Sequence, residues 1–199
     1  LSILSKTPDE LTQRDYDIIY NSISRDLSNF NNLHEELKTD PNFLLNIAKQ
    51  NYNFTNYFPK EMLNNFDLML NILKEYPDKI NIVGYDLLNN VDFMREAVKL
   101  NSTAIYYASD NIKLNRDFVY EAIKLNPSIY NYFLNLYPND EKMIIEAIRD
   151  NPEIINSINP LWKNNRNIAI ALVKQNASNL DMVSAKFGYD KKVIREFFN

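Results

Sequence analysis

The chain repeats itself every 25 residues. Asp117-Phe118-Val119-Tyr120-Glu121-Ala122-Ile123-Lys124-Leu125-Asn126-Pro127 is echoed 25 positions earlier by Asp92-Phe93-Met94-Arg95-Glu96-Ala97-Val98-Lys99-Leu100-Asn101. It returns 25 positions later as Lys142-Met143-Ile144-Ile145-Glu146-Ala147-Ile148-Arg149-Asp150-Asn151-Pro152. The register holds without insertion or deletion from position 17 to position 192, with units beginning at Asp17, Asn42, Asp67, Asp92, Asp117, Lys142, Asn167 and Lys192. A unit this short cannot bury its own apolar faces, so neighbouring units must stack to share one core.

Each column of the repeat has a physical job. Two residues ahead of each anchor stand Asp15, Asp40, Asn65, Asn90, Asn115, Asp140, Asn165 and Asp190, all short acceptors suited to capping a helix start. Pro41 follows Asp40 at a first helical position, where proline is tolerated. Apolar residues then recur at +1, +2, +5 and +6, as in Phe118, Val119, Ala122 and Ile123, which is helical spacing. Asn51, Asn101, Asn126, Asn151 and Asn176 fall where this ten-residue helix should end, in the left-handed conformation that Asn shares with Gly. Pro77, Pro127 and Pro152 come next and forbid continuation of the first helix, and the same Asn is placed to cap a second helix of about seven residues.

The second helix carries its own stripe. Phe30, Thr55, Ile80, Ile105, Tyr130, Ile155 and Leu180 form one column; Leu33, Phe58, Val83, Ala108, Phe133, Ile158 and Val183 form the next. A further column holds Leu37, Met62, Leu87, Ile112, Tyr137, Trp162 and Phe187, so the single Trp reads as one core plug among seven. The pattern predicts an all-α fold, an α-solenoid of about eight two-helix repeats filling residues 1–199 as one domain. With helices about 8–10 Å apart, eight units would make a rod or arc on the order of 70 Å long. Residues 1–14, where Thr7-Pro8-Asp9-Glu10 has capping-box spacing, predict an N-terminal capping helix. Residues 190–199 predict a terminal cap or a truncated repeat.

The units, most plainly residues 90–176, resemble a helical repeat family catalogued as domain of unknown function four-one-one-six. Its units read roughly N/D-x-D-F-V-x-E-A-V-K-x-N followed by a short apolar stretch ending in A-S. Residues 90–101 and Ile105-Tyr106-Tyr107-Ala108-Ser109 are the nearest stretches. Ile170-Ala171-Leu172-Val173-Lys174 lacks the acidic residue and Leu70-Asn71-Ile72-Leu73-Lys74 lacks the alanine. The resemblance implies an α-helical repeat and no catalytic residues, and other short two-helix repeats act by binding.

Composition closes off several chemistries. There is no Cys, one His (His34) and two Gly, so thiolate sites, multi-imidazole sites and glycine-rich phosphate loops are all absent. No cofactor or metal is expected. Lys and Arg number 22 against 26 Asp and Glu, a net charge of -4, which disfavours nucleic-acid or anionic-membrane binding through overall charge. No apolar run approaches a membrane span and no signal peptide is visible, which points to an intracellular, cytoplasmic setting. Asparagine is in excess at 31 residues. A/T-rich codon usage accounts for how much there is; it does not account for where it sits.

Two surface columns remain as candidate sites. Lys49, Lys74, Lys99, Lys124, Arg149 and Lys174 recur at one position and could track a phosphate backbone or an acidic peptide. Glu96, Glu121 and Glu146 stand three residues before three of them, however, and suit a solvated face of weak ion pairs. The second candidate is the outer side of the second helix: Asn56, Tyr57, Asn81, Tyr85, Tyr106, Tyr107, Asn131, Tyr132 and Asn156. Tyr with Asn is a mixture favoured at protein-binding surfaces; the competing reading is packing between repeats. The chain therefore reads as a non-catalytic protein-protein interaction module whose partner is a protein or peptide. Phosphate-backbone binding through the lysine column is the alternative, and a structural spacer or self-associating segment a third.

Overall fold

Short acceptors set where the helices start. The computed structural model describes residues 2–198, and the chain divides after Ile112 into two compact units. The first holds α1 (Gln13–Arg25), α2 (Pro41–Gln50), α3 (Phe66–Glu75) and α4 (Val91–Leu100). The second holds α5 (Arg116–Leu125), α6 (Glu141–Asp150), α7 (Arg166–Gln175) and α8 (Lys191–Arg195). Among the described residues there is no strand. The side chains of Asp40, Asn65, Asn90, Asn115, Asp140, Asn165 and Asp190 each accept a first-turn backbone N–H, as their column predicts.

The eighth member of that column differs. Asp15 lies inside α1: Thr12 is the cap, accepting from the Asp15 N–H at 3.2 Å, while the Asp15 carboxylate accepts the Thr12 N–H at 2.9 Å. That reciprocal pair lowers the Asp15 pKa, the hydrogen bond from the Thr12 backbone being the chief cause. The predicted box at Thr7 and Glu10 does not form. The Glu10 N–H that the Thr7 hydroxyl would need is bonded to the Thr7 carbonyl at 3.0 Å. The chain ahead of α1 makes two short 3-10 turns, Ser2–Ser5 and Pro8–Glu10.

The predicted left-handed helix ends are also corrected. Asn51, Asn101, Asn126, Asn151 and Asn176 have φ between -160° and -137°. Among the described residues none has positive φ. Each of these side chains caps the following segment, accepting the N–H two residues on. Capping requires an extended backbone at the cap residue. One residue cannot be extended and left-handed at once, and the cap prevailed.

The segment that follows is a 3-10 helix in most repeats: Tyr52–Tyr57, Pro77–Ile82, Ser102–Tyr107, Pro152–Asn156 and Ala177–Met182. A third short helical piece then appears, as in Lys60–Asn64, Tyr85–Leu88, Asp110–Lys113 and Pro160–Asn164. Most repeats thus carry three helical segments rather than two, and the further column of Met62, Leu87, Ile112 and Trp162 lies on the third.

Burial follows the columns. All four apolar positions of each of α2 to α7 are buried, from Phe43, Leu44, Ile47 and Ala48 to Ile168, Ala169, Leu172 and Val173. In the wetter first repeat only Ile19 and Ile23 are buried on α1, with Ser22 in a core position. Trp162 and Tyr137 are half-buried rather than core plugs. Each donates to a carbonyl 24 residues earlier, Trp162 Nε1 to Pro138 at 3.4 Å and the Tyr137 hydroxyl to Lys113 at 2.7 Å. Their polar atoms need partners, and these lie at the repeat edge. Tyr130 is fully buried, its hydroxyl donating to the Tyr137 carbonyl at 2.9 Å, and burial raises its pKa to about 12.

Candidate functional site

The third segments are sewn together through backbone bonds that no side-chain pattern advertises. The Gly84 N–H donates to the Leu63 carbonyl at 2.8 Å, and the Ser109 N–H to the Leu88 carbonyl at 2.9 Å. The Asn64 side chain also accepts the Asp86 N–H at 3.2 Å, and the Ser109 hydroxyl lies 2.6 Å from Asn89 Oδ1. In the second unit Ser184 repeats the link to Lys163 at 2.9 Å. These bonds hold the outer rim of successive repeats at a fixed spacing.

The candidate tyrosines of the first unit, Tyr85 on a third segment and Tyr57, Tyr106 and Tyr107 on second segments beside that rim, separate into two kinds. Tyr57 is half-buried and lies stacked on Phe54, ring centroids 6.3 Å apart, and Tyr106 is half-buried. Tyr85 and Tyr107 are 66% and 48% exposed. Among the described residues no hydrogen bond, ion pair or ring contact holds either side chain. Asn56 and Asn81 are exposed nearby on their 3-10 helices. In the second unit Asn131, Tyr132 and Asn156 are exposed. There the Tyr132 hydroxyl accepts from Lys113 Nζ at 3.0 Å, and Asn156 donates to Glu153 at 2.8 Å.

The basic column is exposed throughout and mostly paired. Lys99 meets Glu96 at 3.0 Å, Lys124 meets Glu121 at 3.0 Å and Arg149 meets Glu146 at 2.7 Å, each three residues apart on one helix. Glu121 raises the Lys124 pKa through its hydrogen bond. Lys49 instead reaches Glu75 of the next repeat at 3.7 Å. Among the described residues Lys74 and Lys174 have no ion pair, and their repeats carry Asn71 and Ala171 where those of Lys99, Lys124 and Arg149 carry Glu.

Four stretches, residues 15–63, 65–113, 90–137 and 140–187, match the model of a family described as Domain of unknown function (DUF4116). The chain belongs to that family. Every match opens at or beside the capping column, at 15, 65, 90 and 140, and spans two 25-residue copies. The DUF4116 unit is therefore a pair of the repeats seen here. No curated protein and no solved structure matches the chain.

Three features of this DUF4116 chain were not legible in its columns. A cavity of about 580 Å³ lies between α1 and α2, floored by the contacting rings of Tyr16, Tyr20 and Phe43. Burial raises the Tyr20 pKa. The second is Lys79, only 5% exposed, whose ammonium lies 3.9 Å from the centre of the Tyr52 ring. The Tyr52 hydroxyl is hydrogen-bonded to Asp78, which raises the Tyr52 pKa, and Tyr76 meets the same ring edge-on at 5.1 Å. An exposed Tyr and a Lys 27 residues later gave no hint of this clasp.

The third concerns His34. Its Nδ1 accepts the Glu36 N–H at 3.2 Å, so the one imidazole caps Glu35–Lys38. Among the described residues no group of three or more His, Asp or Glu converges as a metal site would require. No helix in them is long and apolar enough to cross a membrane.

Proposed function

We propose that this chain is a non-catalytic protein-interaction module that binds a protein or peptide on the rim carrying Tyr85 and Tyr107. The solenoid of stacked 25-residue repeats belongs to the same reading, since a rim sewn repeat to repeat presents its side chains with little ordering cost. One observation carries it: two large amphipathic side chains, on neighbouring segments joined by the Leu88–Ser109 bond, stand in solvent without an intramolecular partner. Tyrosine in that setting supplies contact area at small entropic cost and a hydroxyl for specificity. Asn56, Asn81 and Tyr106 flank it in the first unit; Asn131, Tyr132 and Asn156 form the corresponding surface of the second. The paired state of most of the lysine column favours the solvated-face reading over phosphate-backbone binding.

Selection of displayed peptides against the intact chain tests this. Peptides that bind should lose about tenfold or more in affinity towards the double variant Tyr85→Ala, Tyr107→Ala, with thermal unfolding unaltered. Selected peptides that bind the variant as well as the parent would refute the assignment.

A further inference from the structure

The two exposed tyrosines of the first unit stand in an acidic field. Residues 1–112 hold sixteen Asp and Glu against ten Lys and Arg, whereas residues 113–199 hold ten against twelve. On the third segments around Tyr85 and Tyr107 the imbalance is local. Glu61, Asp86 and Asp110 are all exposed, and among the described residues none of the three is in an ion pair. The bases on the same segments are Lys60, which is exposed, and Lys113, which is half-buried and donates to the Tyr132 hydroxyl; Lys79 is turned inward over Tyr52.

The backbone stitching brings these groups together. Glu61 sits in the segment whose Leu63 carbonyl holds Gly84, immediately before Tyr85 and Asp86. Asp110 follows Ser109, whose N–H is bonded to Leu88 at the end of that same Tyr85 segment, and Tyr107 lies two residues ahead of Ser109. Along the linked segments exposed carboxylates and exposed tyrosines therefore alternate in chain order: Glu61, Tyr85, Asp86, Tyr107 and Asp110. A guanidinium or ammonium group is suited to both at once. Its charge is attracted to the ring face, and its N–H groups donate to a carboxylate.

We infer that the rim formed by Tyr85, Tyr107, Glu61, Asp86 and Asp110 docks a basic polypeptide segment, one carrying Arg or Lys at short intervals. This rests on the proposed reading of the rim as a binding surface and adds the chemical class of its partner. Charge complementarity selects the class, and the unpartnered rings provide the contact area.

Fluorescence anisotropy with three labelled synthetic peptides tests the inference on the full chain. One alternates Arg with Gly and Ser, one carries Glu in place of Arg, and one carries neutral apolar residues instead. The parent is compared with Tyr85→Ala, Tyr107→Ala and with Glu61→Gln, Asp86→Asn, Asp110→Asn, each checked for unaltered circular dichroism and thermal midpoint. The Arg peptide should bind the parent at low salt, weaken steeply with added salt, and bind each variant about tenfold or more weakly. The Glu peptide should not bind. Equal binding of the Arg peptide to the parent and the carboxamide variant overturns the basic class. So does tyrosine-dependent binding of the Glu or neutral peptide, which would leave the rim as a binding surface. If no peptide of any charge responds to the tyrosine variant, both the basic class and the rim are overturned.

Discussion

Arg116 and Asp140 are joined by two hydrogen bonds, Nε to Oδ2 at 2.7 Å and a terminal guanidinium nitrogen to Oδ1 at 3.0 Å. Arg116 is the first residue of α5 and Asp140 the cap of α6, so the pair ties the start of one repeat to the start of the next. Arg166 and Asp190 repeat the arrangement at 2.8 Å. A cation at a helix N-terminus opposes the helix dipole, and the neighbouring cap carboxylate offsets that.

Stability of the chain should consequently fall in acid through Asp140. The Arg116 hydrogen bond holds the Asp140 pKa below its ordinary value near 3.8. The stabilisation is present above that ordinary value and is lost as pH falls through the lowered folded value. Asp140→Asn keeps the cap but loses the ion pair, so it should cost about 0.5–1 kcal/mol at neutral pH and flatten the acid limb. Urea unfolding at pH 7 and pH 3 checks this; an equally steep acid loss in the variant would refute it.

Asn101 discriminates between two helix endings. At φ -151° its side chain accepts from the Thr103 N–H at 3.1 Å and lies 2.7 Å from the Thr103 hydroxyl. Asn101→Ala should destabilise by about 1 kcal/mol and Asn101→Gly by a few tenths. A left-handed Asn would instead gain stability on replacement by Gly. Stabilisation by Gly in chemical denaturation would therefore contradict the extended cap.

The two glycines should respond oppositely to a methyl group. A Cβ at Gly84 would overlap the Asn64 side chain, which holds the Asp86 N–H, whereas a Cβ at Gly188 meets nothing within 4 Å. Neither has positive φ. Gly84→Ala should destabilise by about 1 kcal/mol by displacing that cap. Gly188→Ala should be neutral or stabilising by up to about 1 kcal/mol. Thermal unfolding of the two single variants decides it; the reverse order would sink the argument.

Tyr137→Phe removes only the hydroxyl that donates to the Lys113 carbonyl at 2.7 Å. The expected cost is about 1 kcal/mol, together with faster amide exchange in the segment around Lys113. Unchanged stability would show that solvent replaces the bond without loss.

Local rules made much of this molecule legible in one dimension. Caps at Asn65, Asn90 and Asn165, helix lengths of ten residues and the buried quartets such as Phe93, Met94, Ala97 and Val98 follow from interactions within about four positions along the chain. The same locality explains the misreadings. Asn101 could serve either as a left-handed end or as an extended cap by composition alone, and Asp15 satisfied its column while Thr12 stood nearer the true helix start. What a candidate side chain does depends on atoms from other repeats. Tyr107 and Tyr132 occupy one column, yet Lys113 of the preceding repeat takes the hydroxyl of the second while the first is left in solvent. Lys79 is buried because Tyr52, a repeat away, offers its ring face. The periodicity determined which residues could be surface, because stacking repeats bury fixed positions. Which of them were left without a partner was decided only when the repeats packed, because partnership depends on distances between chain segments that no spacing along the sequence encodes.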